Sequence, residues 1–251
     1  MPRTRFILIE TSHAGNVGGV ARAMKVMGFD DLVLVRPRWS NVLRREETIQ
    51  RASGALDVLH NARIVETLDE ALEGMTHLCA TAMVARDFGP PTRTPRQHLS
   101  PLAQTAPDGV AFLFGSERFG MSNDDVYRCH VALRIPTAPA FGSLNLASAV
   151  QVIAYEWREA LGGWGEAEAP PQGAAVDATA VPARADAQQM AGLLQHWEQS
   201  LTDIGFLDPQ APKKLMPRLQ QLFNRAGLTP EEVHILRGVA RHMTRHPAEK
   251  G

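Results

Sequence analysis

The sequence contains few cysteines and lacks long hydrophobic runs, and each of these absences excludes some classes of protein. Cys79 and Cys129 are far apart, and neither belongs to a CxxC or a metal-binding spacing. Both stand in or beside apolar runs, so we expect buried thiols in a reducing compartment. No apolar run has the length of a membrane span or the pattern of a signal peptide. We therefore expect a cytoplasmic protein with no membrane partner.

The sequence also has almost no net charge. Its 26 basic and 27 acidic residues give a formal charge of −1, so any surface that binds nucleic acid must be local. A length of 251 residues with 44% hydrophobic residues suits one large globular domain together with a smaller one.

Short apolar runs alternate with helical patterns over the first two thirds of the chain. Strand-like runs occur at 6–9, 32–35, 63–65, 77–80, 110–114 and 131–135. Helical patterns occur at 17–27, 46–59, 69–73, 98–105, 123–128 and 144–161. This alternation predicts an α/β domain with a mostly parallel sheet over residues 1–163.

The last third of the chain changes composition twice. Residues 164–187 are rich in Gly, Ala and Pro, which predicts a flexible linker because such a segment cannot build a core. Residues 188–251 show helical patterns only, and Thr229-Pro230-Glu231-Glu232 is typical of a helix start. We predict a small all-α C-terminal domain there.

The first strand is followed by a turn with the sequence NVGGVAR. It lacks the GxGxxG pattern of dinucleotide-binding domains. Asn16 fits a helix N-cap, and the helical period places Arg22 opposite the apolar stripe, beside Gly18 and Gly19. A solvated arginine is one interpretation. The other is a face that another backbone or subunit approaches closely, since glycines leave room for it.

Two further loops carry unusual polar residues. The sequence FGSERFG follows the apolar run at 110–114 and places Glu117 between glycines, where it could also pair with Arg118. It is not the GxSxG nucleophile elbow, which argues against a hydrolase. The sequence FGSLNLASAV opens the helix at 144–161, and the simplest role for Ser143 and Asn145 there is capping.

Together, NVGGVAR, FGSERFG and IPTAPAFGSLNLASAV resemble the three motifs of the SPOUT-superfamily ribose 2′-O-methyltransferases in order and spacing. ETSHAGNVGGVARAMK and HILRG are most similar to the bacterial branch that methylates cytidine or uridine at position 32 of tRNA. The resemblance implies a trefoil knot that holds S-adenosylmethionine, an obligate homodimer, and tRNA rather than DNA as partner. Two alternatives stay open: a ribosomal RNA 2′-O-methyltransferase, and a non-catalytic RNA-binding protein of the same fold.

The resemblance also implies residue roles. The predicted catalytic residues are Arg22, Asn16, Ser143, Asn145 and Glu117. The predicted cofactor contacts are Thr81, Ala82, Met83, Gly115, Ile135, Gly142, Ser143 and Leu144, with alanine at 82 where serine is more usual. Because an arginine stays protonated in proteins, we expect Arg22 to clamp a phosphate and orient the hydroxyl. The proton acceptor is left open.

Basic residues cluster in three places that could contact RNA phosphates. Two clusters follow strand-like runs, namely Arg36, Arg38, Arg44 and Arg45, and Arg86, Arg93 and Arg96. The third lies in the helical tail and comprises Lys213, Lys214, Arg218, Arg225, Arg237, Arg241, Arg245 and Lys250. His242 and His246 are spaced like helical metal ligands but lack a third ligand, so no metal is predicted.

Overall fold

The computed structural model describes residues 2–82, 87–105, 107–164, 183–211 and 213–245. Its strands are β1 (Arg3–Ile9), β2 (Asp31–Val35), β3 (Arg63–Val65), β4 (His77–Thr81), β5 (Thr92–Arg93), β6 (Gly109–Phe114) and β7 (Val131–Leu133). The helices of the first domain are α1 (Ala14–Val26), α2 (Glu46–Ala52), α3 (Leu56–Asn61), α4 (Leu68–Leu72), α5 (Pro95–Gln104), α6 (Asn123–Tyr127) and α7 (Leu146–Ala160). The tail contributes α8 (Ala187–Asp203), α9 (Leu215–Ala226) and α10 (Pro230–Arg245).

The strands form one sheet in the order β3-β2-β1-β6-β4-β7-β5, and every pairing is parallel. Helices α1, α2, α3, α5 and α7 pack on one face of the sheet, and α4 and α6 on the other. Both faces are therefore covered, which explains why the central strands β1 and β6 contain continuous apolar runs instead of alternating. The predicted α/β class with a parallel sheet is confirmed. Among the described helices, none combines the length and apolar character that a membrane crossing requires.

Three differences between the sequence prediction and the structure have a clear physical cause. Strand β5 was missed, because two residues carry no periodicity. The helix predicted over 46–59 is two helices, since Ser53 takes a positive φ of 52° and ends α2. Asn16 is not the N-cap of α1: the helix begins earlier, His13 holds the cap position, and Asn16 lies inside the first turn.

The glycines beside Arg22 allow helices of the same chain to pack closely. A Cβ at Gly18 would overlap the carbonyl oxygen of Thr48 on α2, and one at Gly19 would come within 2.9 Å of the Ala147 side chain on α7. Of the two interpretations, the close approach of another backbone is therefore correct for Gly18, and it occurs within the chain. Arg22 itself is exposed.

The helical tail packs against the α/β domain. The backbone N–H of Ala187 donates to the Met75 carbonyl at 3.0 Å, and the Asn224 amide donates to the Arg128 and Cys129 carbonyls. The tail also has its own apolar cluster, which includes Leu193, Phe223 and Val233. Most of the predicted linker, residues 165–182, lies outside the described residues.

The predicted start of the last helix is confirmed. The hydroxyl of Thr229 accepts from the backbone N–H of Glu232 at 3.2 Å, and the Glu232 carboxylate accepts from the backbone N–H of Thr229 at 2.8 Å. This reciprocal pair satisfies two donors that a helix start leaves open.

Candidate active site

Glu117 joins two loops at the carboxyl edge of the sheet. Its carboxylate accepts from the Thr11 hydroxyl at 2.9 Å, from both the N–H and the hydroxyl of Ser12 at 2.8 Å, and from the Asn16 amide at 2.8 Å. Thr11 and Ser12 follow β1, and Glu117 follows the neighbouring strand β6. The predicted alternative, a local pair of Glu117 with Arg118, is therefore not the arrangement found.

The ionisation of Glu117 follows from these contacts. Burial raises the pKa of a carboxyl, but hydrogen bonds from the Asn16 amide and from the Ser12 N–H and hydroxyl outweigh it and lower the pKa of Glu117 from 4.5 to about 2. The group is thus a fixed anion near neutral pH. Its role is to hold donors in place, since a carboxylate with so low a pKa is a poor proton acceptor.

A chain of hydrogen bonds extends from Glu117 to the third motif. Because Glu117 can only accept, the Nδ2 of Asn16 points toward it, which leaves the Oδ1 of Asn16 as an acceptor. The Nδ2 of Asn145 donates to that oxygen at 2.9 Å, and the Oδ1 of Asn145 accepts from the Ala147 N–H at 2.9 Å. Asn145 is thus the N-cap of α7, which begins at Leu146 and not at residue 144. The asparagine caps the helix and also joins the first motif to the third.

The loop that carries Glu117 folds back tightly on itself. Ser116 and Gly120 exchange backbone hydrogen bonds of 3.1 and 2.8 Å. A Cβ at Gly115 would overlap the backbone of Gly120 and Met121, so this position admits only glycine. The tight fold keeps the loop at the wall of the neighbouring cavity instead of across it.

A cavity of about 520 Å³ lies between these loops, and we call it the cofactor cavity. Its walls come from the ends of β4, β6 and β7 and from the start of α7. The residues that line it are His13, Asn16, Thr81, Ala82, Phe114, Gly115, Ser116, Glu117, Gly120, Leu133, Ile135, Ser143, Leu144, Asn145, Leu146 and Ala149. Its volume lies within the range of small-molecule sites, and a mixed polar and apolar lining is typical of them.

Most of the predicted site residues meet at this cavity. The predicted cofactor contacts that line it are Thr81, Ala82, Gly115, Ile135, Ser143 and Leu144. Gly142 does not line it, and Met83 lies outside the described residues. Of the predicted catalytic residues, Asn16, Glu117, Ser143 and Asn145 line it, whereas Arg22 lies farther along α1, on its exposed face.

Three polar residues of the site, Thr11, Ser12 and His13, were not predicted from the sequence. They immediately follow β1, and the carboxyl ends of parallel strands are where such folds bind ligands. Their position in the sequence was therefore a usable signal.

A second cavity of about 360 Å³ adjoins the first. The residues that line it are His13, Gly15, Asn16, Gly19, Glu47, Arg51, Asn145 and Ala147. His13, Asn16 and Asn145 line both cavities, so these three side chains stand between them. The two cavities therefore adjoin at these residues.

Within the described part of the chain, one group of side chains could hold a metal ion. The ligating atoms of His77, Cys79 and His98 lie within 4.8 Å of one another. They are located between β4 and α5, away from both cavities, and the two histidine Nε2 atoms are 3.0 Å apart, which suits a hydrogen bond between neutral rings. Of the pair predicted not to bind metal, His246 lies outside the described residues, and the absence of a metal stays a prediction.

Comparisons with known proteins agree with the motifs. The SpoU rRNA Methylase family matches residues 3–155, and the C-terminal domain of tRNA methyltransferase TrmJ matches residues 188–251. The chain is 40% identical to the tRNA (cytidine/uridine/adenosine-2′-O-)-methyltransferase TrmJ of Pseudomonas aeruginosa, over 95% of this chain and 93% of that protein. It is 42% identical to the tRNA (cytidine/uridine-2′-O-)-methyltransferase TrmJ of Salmonella typhimurium, over 94% and 93%.

Solved structures agree as well. The crystal structure of TrmJ from Z. mobilis ZM4 superposes with a TM-score of 0.79 at 31% identity, covering 97% of this chain and 99% of that one. A probable methylase family protein from Haemophilus influenzae gives a TM-score of 0.61 at 31% identity, covering 98% and 97%. These matches span both the α/β domain and the helical tail, and the chain belongs to the SpoU methylase family.

Proposed function

We propose that this protein transfers a methyl group from S-adenosylmethionine to the ribose 2′-oxygen of a tRNA nucleotide. The observation that carries the proposal is the cofactor cavity, at which residues of all three motifs meet and at whose edge Glu117, Asn16 and Asn145 form one hydrogen-bonded chain. The similarity to TrmJ proteins over more than nine tenths of the chain supports tRNA as the substrate.

The residues of the cavity fit the cofactor. Gly115 lines the cavity, Leu133 and Ile135 offer apolar contacts to an adenine ring, and Thr81 and Ser143 offer hydroxyls. S-adenosylmethionine supplies an activated methyl group on a sulfonium. Because this methyl group is already activated, the rate depends mostly on how well the protein positions the ribose hydroxyl beside it.

The protein's part in the reaction is therefore to hold groups in place. Glu117 holds the loop after β1 and the Asn16 amide, and Asn16 in turn holds Asn145 at the boundary of the two cavities. Arg22, which keeps its charge, clamps the phosphate beside the target ribose. The second cavity adjoins this boundary and takes the ribose.

Glu117→Gln is expected to lower kcat/KM by about a hundredfold, because the glutamine NH₂ would face donors and displace Asn16 from the boundary. Methyl incorporation into tRNA measures kcat/KM, and calorimetry measures the affinity for the cofactor. Glu159→Gln, which removes an exposed carboxylate from α7, serves as the matched control and should match wild type. A Glu117→Gln enzyme as fast as wild type would show that the hydrogen-bonded chain does not position the substrate.

We further propose cytidine or uridine at position 32 as the target. The test is incubation with labelled S-adenosylmethionine and tRNA from cells lacking the gene, followed by mapping of the methyl groups. Methylation at position 32 supports the proposal, whereas methylation of ribosomal RNA alone would favour the sister activity. A protein that binds RNA but no cofactor by calorimetry would be a non-catalytic member. The proposed location is the cytoplasm, where tRNA resides.

RNA is proposed to approach the edge of the sheet that carries both cavities. Arg38 and Arg45 lie 4.8 and 4.5 Å from the ring centre of Trp39, in the loop after β2. The backbone N–H of Arg38 donates to the Thr11 carbonyl at 3.0 Å, which ties this basic loop to the one that holds Glu117. Cationic and aromatic side chains together suit phosphates and unpaired bases.

Deleting the chain after Gly163 is expected to weaken tRNA binding by about tenfold or more and to flatten its salt dependence, because exposed cations of the tail are lost. The cations concerned are Lys213, Lys214, Arg218, Arg225, Arg237 and Arg241. Since Ala187 and Asn224 contact the first domain, the melting temperature should fall as well. Filter binding at several salt concentrations measures the first effect, and an unchanged affinity and salt slope would assign the tail to stability alone.

The proposed homodimer uses the exposed face of α1. Val26 is 57% exposed there, one turn beyond Arg22, whereas Gly18 and Gly19 are covered within the chain. The full chain should sediment at micromolar concentration with twice its monomer mass of 27.5 kDa. Val26→Glu should shift it toward monomer, and Val239→Glu, at an exposed valine of α10, should not. A monomeric wild-type chain would contradict the proposal.

A further inference from the structure

The family resemblance assigns no role to His13, although this residue stands at the boundary of the two cavities. It lines both the cofactor cavity and the second cavity, beside Asn16 and Asn145. His13 holds the N-cap position of α1, but its side chain makes no hydrogen bond to the helix start. Its carbonyl accepts from the Asn16 N–H at 3.1 Å, so the backbone is held at this point, where the exposed residue lines both cavities.

The other side chains around the cavities are poor candidates for taking a proton. Glu117 has a pKa of about 2, and its oxygens already accept four hydrogen bonds. Arg51, like any arginine, keeps its proton. Glu47 lines the second cavity but not its boundary with the cofactor cavity, where the hydroxyl and the methyl group would meet. Among the described residues that line both cavities, His13 alone has a side chain that can act as a general base, since the other two, Asn16 and Asn145, are amides.

We propose that His13 is the general base of the methyl transfer, an inference that rests on the proposed function. The ribose 2′-oxygen forms its bond to the methyl carbon as the carbon–sulfur bond breaks, and sulfur keeps the bonding pair. The hydroxyl proton passes to an imidazole nitrogen of His13. The products are the 2′-O-methyl ribose, neutral S-adenosylhomocysteine and an imidazolium that releases its proton to water. With His13 as the proton acceptor, Arg22 does not have to lose its proton during the reaction.

The charged residues that line the cavities together with His13 come from two parts of the fold. Glu117 lies in the loop after β6, and Glu47 and Arg51 belong to α2. The start of α7 contributes uncharged residues, namely Asn145, Leu146, Ala147 and Ala149. The two carboxylates favour the imidazolium that forms during the reaction, while Arg51 opposes it.

The test measures single-turnover methylation of tRNA against pH for the full-length wild type, His13→Gln and His13→Ala. Wild type should gain rate as the pH rises and then level off, because a general base must be unprotonated to act. His13→Gln should lose about a hundredfold at the plateau and most of the pH dependence, with cofactor affinity by calorimetry unchanged. Added imidazole should partly restore His13→Ala but not His13→Gln, whose side chain fills the space. His60→Gln, at an exposed histidine at the end of α3, is the matched control and should behave as wild type.

A second readout does not depend on turnover. In protein labelled with ¹³C-histidine, the resonance missing from His13→Gln identifies His13, and it should shift when tRNA is added to the complex with S-adenosylhomocysteine. An unshifted resonance overturns the proposal, as does a His13→Gln rate within threefold of wild type at every pH. The proposal is also overturned if the His13 variants are slow but keep the wild-type pH profile, and if added imidazole does not restore the rate of His13→Ala. If wild type methylates no tRNA, the proposed function fails, independently of His13.

Discussion

Replacing Arg22 by alanine is expected to lower methyl transfer to tRNA about 100- to 1000-fold while leaving S-adenosylmethionine affinity unchanged. The second half of this expectation follows from position: Arg22 is exposed on α1 and is not among the residues that line the cofactor cavity. The first half follows from the role proposed for its guanidinium, a bidentate clamp on the phosphate next to the target ribose. Loss of such a clamp affects the orientation of the hydroxyl and therefore the chemical step.

Two further variants make this result specific. Arg22→Lys keeps the charge but loses the planar pair of donors, so an intermediate rate is expected. Lys25→Ala removes a cation from the same helix, where its only described partners are Asp57 and the Gly54 carbonyl at the surface, and should leave the rate unchanged. Because Arg22 lies near the proposed dimer face, sedimentation of each variant must accompany the kinetics. An Arg22→Ala dimer with the wild-type rate would contradict the assignment.

The strands were predictable because buried parallel strands are nearly continuous apolar runs, as in β1 and β6. Boundaries set by a single unusual backbone angle were not, and Ser53 illustrates this: nothing in its neighbours announces the positive φ that separates α2 from α3. The packing of the tail was not predictable either, since it depends on single contacts such as Ala187 with Met75.

The candidate site was predictable residue by residue but not as an arrangement. Motif resemblance named Asn16, Glu117 and Asn145 as separate points along the chain. Their connection spans more than a hundred residues of sequence, and no local pattern encodes which side chain donates to which. Once the carboxylate of Glu117 is placed, its inability to donate determines the orientation of both amides, so the arrangement follows from simple chemistry applied to the fold.

The domain is expected to lose stability as the pH falls below about 6.5, because three histidines are packed between β4, β7 and α5 in neutral form. The His77 ring stacks on His130 at 4.7 Å and on His98 at 5.2 Å between ring centres. Burial lowers the pKa of all three, and that of His130 falls to about 4, with Arg184 and His98 as further causes. The Leu78 N–H donates to Nδ1 of His130 at 3.1 Å, a bond that needs this nitrogen unprotonated.

The sign of the pH effect follows from which state binds more protons. Below about pH 6.5 the unfolded chain protonates these histidines while the folded chain resists, so each proton stabilises the unfolded state. For His130 alone, the free energy of unfolding should fall by about 2 kcal/mol between pH 7 and pH 5, and His77 adds a loss of the same sign. Urea unfolding at the two pH values, at one protein concentration, measures the total.

His130→Asn keeps an acceptor for Leu78 but cannot titrate, so it should recover about 2 kcal/mol of the difference, whereas His60→Gln, at an exposed histidine, should recover none. An equally steep pH dependence in His130→Asn would show that the buried histidines do not govern acid unfolding.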